Sequence, residues 1–410
     1  MSLRDLPFFL IGLASEKLKL QEQMDAPAVA AKEARILAQY EISNADQIAA
    51  AMAAPAVTQP EPAHFDAIVL LAHGTPDVLG EMDEYLKLVT GGRGVPPHVV
   101  HELQERYAEI GLKDEPTAEG PHLTRWTLRE AELLRERTDM PVYVGMRNWK
   151  PFIADTVAQM KQDGVKKVRA ICLAPQNSRT SVGLYRRAME TAADGAFEID
   201  FVAGWSEHSL LIRSFAERLR KALEAAPQDK KTAVLFTAHS VPCRTIQSKP
   251  SEHHGMLLTS EADTYAIECK ATAALIASEL SEQISESDWY FCFQSQGMSG
   301  GPWIGPSVED TLKALRDGGY QHVILDPIGF LCDHVEILYD IDIAFQKTAA
   351  ELGITLSRPE SLNDSPTLIG ALADLARRGT RSLPQHLRNT TAVPAEVVQT
   401  LAPVEEQASV

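Results

Sequence analysis

Short, mostly apolar runs alternate with amphipathic segments through the body of the chain. The runs DAIVLLA, VYVGM and VRAICLA come first, and TAVLFTA, WYFCF and HVILDPI follow later; segments such as FIADTVAQMKQDG between them have the apolar spacing of a helix. Nearly continuous apolar strands are typical of parallel sheets that are covered by helices on both faces. The pattern therefore predicts an α/β fold with parallel sheets.

This apolar pattern occurs twice. AIVLLAHGTP from Ala67 matches AVLFTAHSVP from Ala233, and PFIADTVAQMKQDGVKKVRAI from Pro151 matches PSVEDTLKALRDGGYQHVILD from Pro306. In the second pair a proline, an Asp-Thr dipeptide, a glycine and a valine recur in register. Because both matches come in the same order along the chain, they predict two copies of one α/β unit.

We expect the two copies to form Rossmann-like domains over residues 65–230 and 231–385, with their parallel sheets facing each other across a cleft. Ligands of such sheets bind beyond the carboxyl ends of the strands. His73 and His239 end the two matching apolar runs, so both should reach this cleft. A single histidine at a strand end is more often a hydrogen-bonded structural residue than a catalyst. Its recurrence at duplicated positions leaves both interpretations open.

The two ends of the chain have a different pattern. Residues 1–49 are rich in Ala, Leu and Glu at helical spacing, and the proline-rich stretch AAPAVTQPEPA follows them. Residues 1–62 are therefore predicted to be a helical extension with a linker, and the polar residues 388–410 a flexible tail.

The stretch LPFFLIGLA is interrupted by Pro7, so we interpret it as one face of a short helix rather than a signal peptide. No run has the ~18 apolar residues of a membrane-spanning helix, so we expect no integral membrane segment.

Charge and cysteine content narrow the functional classes. The formal net charge is -17, which argues against nucleic-acid binding because that function needs a basic face. The chain has 5 cysteines and no CxxC pair, so a disulfide framework is not expected and a reducing cytoplasm fits better. We also expect no iron–sulfur cluster, because its ligand cysteines usually come at short spacings.

The most concentrated candidate chemistry lies in DPIGFLCDHVEILYDID, residues 326–342. A helix that begins near Cys332 would place Asp333, Glu336 and Asp340 on one face. Acidic residues also favour a helix N-terminus through the helix dipole, and this explains Asp333. It does not explain Glu336 and Asp340 among apolar neighbours, so two interpretations remain: a solvated acidic face, or an acidic track that leads into the cleft.

Basic, hydroxyl and aromatic side chains surround the other predicted strand ends. Arginine and hydroxyl groups there suit carboxylates or phosphates, and aromatic rings beside them suit a flat apolar ligand. No GxGxxG or P-loop motif is present, so nucleotide binding lacks its usual signal. The candidate ligand-binding residues are Arg93, Arg106, Tyr107, Arg147, Ser178, Ser181 and Tyr185.

Several motifs together resemble one known family. TAHSVP, QSQGMSGGPWIGPSVEDTL, DPIGFLCDHVEILYDID, MRNWKPFI and LAHGTPD are similar to the corresponding segments of ferrochelatases, and the likeness covers about residues 66–380. Members of this family insert Fe²⁺ into a porphyrin. The resemblance therefore implies a chelatase-like fold, an enzyme of haem biosynthesis, Fe²⁺ as a substrate, a porphyrin as the second substrate and a haem-type product.

The resemblance also implies roles for individual residues. The catalytic histidine of the AHS motif corresponds to His239, and the glutamate of DHxE corresponds to Glu336; His334 and Asp340 extend the metal-handling track. Metal insertion releases two pyrrole protons, so it needs a base near neutral pH as well as imidazole or oxygen ligands for the cation. We expect His73 to be an axial ligand of the product's iron, although it could instead only fix the turn that follows it. Ser295 and Trp303, in the QSQGMSGGPW motif, are expected to contact substrate.

The resemblance leaves more than one substrate open. LAPQNSRTSVGLYRRA and GGRGVPPHVVHELQERYAEIG look most like the segments of coproporphyrin III ferrochelatases, although these commonly have tyrosine at the position of His73. Insertion into protoporphyrin IX, a cobalt or nickel chelatase, and a tetrapyrrole carrier without catalysis remain alternatives; a carrier would need no paired base. We further expect a cytoplasmic location and a downstream haem-pathway enzyme as a partner.

Overall fold

The computed structural model describes residues 64–202, 204–242, 265–296 and 303–378. Within these ranges the chain forms two parallel sheets of four strands each. The helical extension predicted for residues 1–62 and the tail predicted for 388–410 lie outside the described residues, as does Cys243.

The first sheet has the strand order β2-β1-β3-β4. Its strands are β1 (Ala67–Ala72), β2 (Val142–Met146), β3 (Lys167–Cys172) and β4 (Glu198–Val202). The central strand β1 is buried along its whole length because helices cover both faces of the sheet. Three of these four strands coincide with the apolar runs predicted from the sequence.

The second sheet has the corresponding order β6-β5-β7-β8. Its strands are β5 (Thr232–His239), β6 (Trp289–Gln294), β7 (His322–Asp326) and β8 (Thr355–Ser357). The same order of parallel strands in both sheets confirms the duplicated α/β fold. His73 follows β1 directly and His239 is the last residue of β5, so the two histidines stand at equivalent strand ends.

Helices connect the strands and pack on both faces of the sheets. They are α1 (Met82–Val89), α2 (Pro97–Glu109), α3 (His122–Thr138), α4 (Ile153–Gln162), α5 (Val182–Ala193), α6 (Ser209–Glu224), α7 (Tyr265–Glu279), α8 (Val308–Asp317), α9 (Val335–Leu338), α10 (Gln346–Glu351) and α11 (Pro366–Arg378), with a π-helix at Asp340–Phe345 and 3-10 turns at Leu79–Glu81 and Glu286–Asp288. None of the helices in the described ranges is long and apolar enough to span a bilayer.

A common core joins the two halves. Leu70 on β1, Phe215 on α6, Phe236 on β5 and Leu372 on α11 belong to one cluster of buried side chains. The final helix α11 packs against α3 and α6, which precede the second sheet in the chain. The carboxyl ends of the two sheets are therefore held in a fixed relation, and the cleft between them is shaped by a shared core rather than by a flexible link.

Candidate active site

A cavity of about 510 Å³ lies beyond the carboxyl ends of β1 and β5. The first half contributes His73, Tyr107 and Arg147 to its wall, and the second half contributes His239 and Glu336. This position is the one that ligands take in parallel α/β sheets. The predicted cleft between the two halves is therefore present, and both duplicated histidines reach it.

His239 and Glu336 form a direct ion pair in this cavity. The distance between His239 Nε2 and Glu336 Oε1 is 3.0 Å, and His334 Nε2 lies 3.3 Å from the second carboxylate oxygen of Glu336. The Nδ1 of His239 is hydrogen-bonded to the carbonyl oxygen of Ser240. Because a carbonyl only accepts, Nδ1 carries a proton and Nε2 is the nitrogen that exchanges protons with Glu336.

The charges of this pair stabilise each other. Burial by itself lowers the pKa of His239, but the carboxylate of Glu336 outweighs it and raises the pKa to about 9. For Glu336, burial raises the pKa, but His239 and His334 hold it well below its usual range. At neutral pH His239 is therefore an imidazolium and Glu336 a carboxylate.

Asp340 continues the line of polar groups away from the pair. Its carboxylate accepts a hydrogen bond from the hydroxyl of Ser295, and burial followed by the charge of Glu336 raises its pKa. Ser295 has a φ of 59°, a left-handed conformation that costs a non-glycine residue roughly 1–2 kcal/mol. The side chain of Gln294 donates to the backbone carbonyl of Glu336 over 2.8 Å, which ties β6 to α9. Glu336 therefore lines the cavity, whereas Asp340 does not line it and is hydrogen-bonded to Ser295 instead.

Asp333 does not belong to this line, and the predicted helix start near Cys332 is wrong. The helix α9 begins at Val335, after His334 in an extended conformation. Asp333 instead accepts hydrogen bonds from Ser361 Oγ at 2.7 Å and Asn363 Nδ2 at 2.9 Å. Because its carboxylate is hydrogen-bonded to Ser361 and Asn363, Asp333 anchors the loop before α9 and does not cap a helix.

His73 is held on the wall opposite the ion pair, with contacts at both ring nitrogens. Asn148 Nδ2 lies 2.8 Å from His73 Nε2, while His73 Nδ1 lies 3.1 Å from the carbonyl oxygen of Gly74 and 3.3 Å from the hydroxyl of Tyr85. Burial, assisted by the charge of Arg147, lowers the pKa of His73 to about 4. His73 is therefore a neutral imidazole at physiological pH.

Gly74 explains why the chain can turn sharply after His73. Its φ is +90°, and a Cβ built there would lie 2.7 Å from the backbone nitrogen of Trp149. Only glycine fits this conformation and this space. The turn brings the segment after β1 against the segment after β2, and the backbone N–H of Asn148 donates to the His73 carbonyl over 2.9 Å.

The remaining predicted site residues fall into two groups. One group lines the cavity and the other lies outside its wall. The cavity-lining residues are Tyr107, Arg147, Ser178, Ser181, Tyr185, Trp303 and His334. Arg93 is exposed and donates to the Thr90 carbonyl, and Arg106 pairs with Glu102 over 2.5 Å and lies 5.1 Å from the ring centre of Tyr339. Arg93, Arg106, Ser295 and Asp340 are not part of the cavity wall.

The cavity also contains a polar residue that sequence reasoning missed. Glu130 on α3 is 1% exposed, lines the cavity, and has no hydrogen-bond partner for either carboxylate oxygen among the described residues. Burial raises its pKa to about 8. A signal for it exists, because Thr127, Glu130, Ala131 and Leu134 share the spacing of one helix face.

Comparison with known proteins identifies the family of the chain. The family model described as Ferrochelatase matches residues 65–380. The chain belongs to the ferrochelatase family. It is accordingly a metal-insertion enzyme that uses Fe²⁺ as a substrate, and the family resemblance of its motifs is confirmed.

Individual ferrochelatases differ in how closely they match. The ferrochelatase of Acidobacterium capsulatum is 54% identical over 76% of this chain and 94% of its own length. The ferrochelatase of Deinococcus radiodurans is 35% identical over 76% of this chain and 95% of its own length. The coproporphyrin III ferrochelatase of Mycolicibacterium vanbaalenii is 30% identical over 76% of this chain and 88% of its own length.

Proposed function

We propose that the chain inserts Fe²⁺ into coproporphyrin III and that His239 and Glu336 accept the protons which the macrocycle releases. The direct ion pair between these two side chains inside the cleft carries this proposal. Metal insertion removes two pyrrole protons, and a positioned base typically contributes 10²–10⁴-fold to such a proton transfer.

The proton path follows from the hydrogen bonds. His239 Nε2 faces Glu336, and the other oxygen of Glu336 faces His334, so a proton on the imidazole can pass to the carboxylate and onward. The pair already holds one proton on His239, so it can accept the two released protons only one at a time. His239 passes its resident proton to Glu336, Glu336 passes it on towards His334, and the imidazole then accepts the next proton. In this scheme Asp340, whose pKa is raised by burial and by the charge of Glu336, lies at the edge of the track.

The opposite wall supplies the groups that would bind the macrocycle. Arg147 lies 5.8 Å from the ring centre of Tyr185, and the hydroxyls of Ser178 and Thr180 are 2.9 Å apart beside it. An arginine and several hydroxyl groups suit propionate carboxylates. His73 is neutral and lines the same cavity, which suits an axial ligand for the iron of the product.

Coproporphyrin is favoured over protoporphyrin by two observations. The cavity wall offers Tyr107, Arg147, Ser178, Thr180, Ser181 and Tyr185 as carboxylate-binding groups, and coproporphyrin has four propionates where protoporphyrin has two. Relatives named coproporphyrin III ferrochelatase also match three quarters of the chain, although those with higher identity are named ferrochelatase without a stated porphyrin.

The test is anaerobic turnover of Fe²⁺ with coproporphyrin III and protoporphyrin IX side by side. We expect a higher kcat/KM for coproporphyrin, and the reverse order would overturn the substrate assignment. His239→Ala should lose at least about 99% of turnover while it still binds porphyrin. His208→Ala is the matched control, because His208 is also partly buried and paired with a carboxylate, Asp374, but does not line the cavity. Retention of more than about a tenth of the wild-type rate in His239→Ala would contradict the role as a base.

A further inference from the structure

The contacts of the His73 ring define which of its nitrogens has a lone pair. Nδ1 lies 3.1 Å from the carbonyl oxygen of Gly74, and a carbonyl oxygen can only accept a hydrogen bond. Nδ1 must therefore carry the proton of the neutral ring. The lone pair is left on Nε2, the nitrogen that lies 2.8 Å from the side-chain nitrogen of Asn148.

Asn148 is in a fixed position from which its side chain can donate a hydrogen bond to this lone pair. Its side chain is 2% exposed, and its backbone N–H donates to the His73 carbonyl over 2.9 Å. The neighbouring Arg147 N–H donates to the Ala72 carbonyl over 3.0 Å, so the segments after β1 and β2 are joined on both sides of the contact. The amide of Asn148 therefore donates to Nε2 without any movement of the backbone.

We propose that Asn148 masks the Nε2 lone pair of His73, so that the iron of the product gains its axial imidazole only by displacing the Asn148 amide. This inference rests on the proposed function and deepens it by assigning Asn148 as a positioning residue for product release. Iron and an N–H donor cannot share one lone pair, so ligation breaks the 2.8 Å hydrogen bond and leaves a buried amide N–H without its acceptor. The product is then bound about tenfold more weakly than it would be by an unmasked imidazole.

The test compares product binding in variants that change only what faces Nε2. Asn148→Leu keeps a similar volume but donates nothing, so ferric coproporphyrin III should dissociate about tenfold more slowly and show a stronger iron–imidazole signature in its resonance Raman spectrum. Asn148→Asp should act in the opposite direction. Its carboxylate only accepts, so it keeps a proton on Nε2 and removes the axial bond, as His73→Ala does.

Two controls separate this mechanism from a general change in the cleft. Tyr85→Phe removes a contact to Nδ1 and leaves Nε2 masked, so its dissociation rate should stay within about twofold of wild type. In a His73→Ala background, Asn148→Leu should have no effect on dissociation. An equal slowing in the presence and absence of His73, or no slowing at all, overturns the proposal.

Turnover by the wild-type protein, compared with the product spectra of the variants, distinguishes this inference from the proposed function. If the wild-type protein inserts Fe²⁺ into coproporphyrin III but its product spectrum is indifferent to both His73→Ala and Asn148→Leu, only the masking role fails. If the wild-type protein turns over neither porphyrin, the proposed function itself fails. Asn148→Asp provides a readout even if Asn148→Leu does not fold, because loss of the imidazole signature supports the proposal and its retention contradicts it.

Discussion

Glu130 should destabilise the folded protein to a degree that depends on pH. Its carboxyl group is buried on α3, both oxygens are without a hydrogen-bond partner among the described residues, and Asp364 adds a repulsive negative charge. A buried carboxylate without a partner is costly because the interior solvates it poorly. Replacing the residue by its neutral isostere, Glu130→Gln, should remove the cost of ionisation while it keeps the size of the side chain.

The magnitude follows from the pKa. Folding raises the pKa of Glu130 from 4.5 to about 8, so the native state binds this proton more tightly than the unfolded state. Below pH 4.5 both states are protonated and ionisation costs nothing. Between pH 4.5 and 8 the cost grows by about 1.4 kcal/mol per pH unit, and it reaches about 5 kcal/mol above pH 8. At pH 7 the cost is about 3 kcal/mol.

The assay is urea unfolding of wild type and Glu130→Gln, followed by circular dichroism at pH 5.5 and at pH 8. We expect the gain in free energy of unfolding from Glu130→Gln to be about 3 kcal/mol larger at pH 8 than at pH 5.5. Glu132→Gln is the matched control, because Glu132 is on the same helix with half of its side chain exposed, and it should show no such difference. A gain that is the same at both pH values would refute the reasoning.

Two further predictions concern arginines that do not line the cavity. Arg358→Ala should lower the free energy of unfolding by about 3 kcal/mol, because its largely buried guanidinium pairs with Asp342 at 2.6 Å and with Asp333 at 3.3 Å. A loss below about 1 kcal/mol would show that these two ion pairs do not stabilise the fold as expected. Arg106→Ala should raise the KM for coproporphyrin III more than the KM for protoporphyrin IX if Arg106 binds a propionate, whereas equal changes would assign it to its contacts with Glu102 and Tyr339.

The sequence predicted the fold well where strands are buried on both sides. The central strands β1 and β5 have mostly apolar sequences, and their duplication is visible as repeated letters. The edge strands β4 and β8 were not predicted. EIDFV in β4 mixes charged and apolar residues because much of it is exposed, and β8 contains only 3 residues. Such strands are defined by the neighbour they pair with rather than by their own pattern.

The positions of the site residues were predictable where a recognisable motif contains them and not where they depend on distant contacts. His239 and Glu336 were placed together correctly because each belongs to a recognisable segment. The helix start was misplaced because the partners that capture Asp333 come 28 and 30 residues later in the chain. The hydrogen bond between His73 and Asn148 joins residues that are 75 positions apart, and no local pattern indicates it.

The two duplicated histidines show how one scaffold produces two chemical roles. Both imidazoles stand at equivalent strand ends and line the same cavity, so the fold alone gives them no difference. The residues around each imidazole give the two histidines different pKa values. Despite burial, the carboxylate of Glu336 raises the pKa of His239 to about 9, while burial and Arg147 lower the pKa of His73 to about 4. One histidine is thereby suited to hold and pass a proton, and the other to offer a lone pair. The function proposed above uses the first property to receive the protons of the macrocycle and the second to bind the iron of the product.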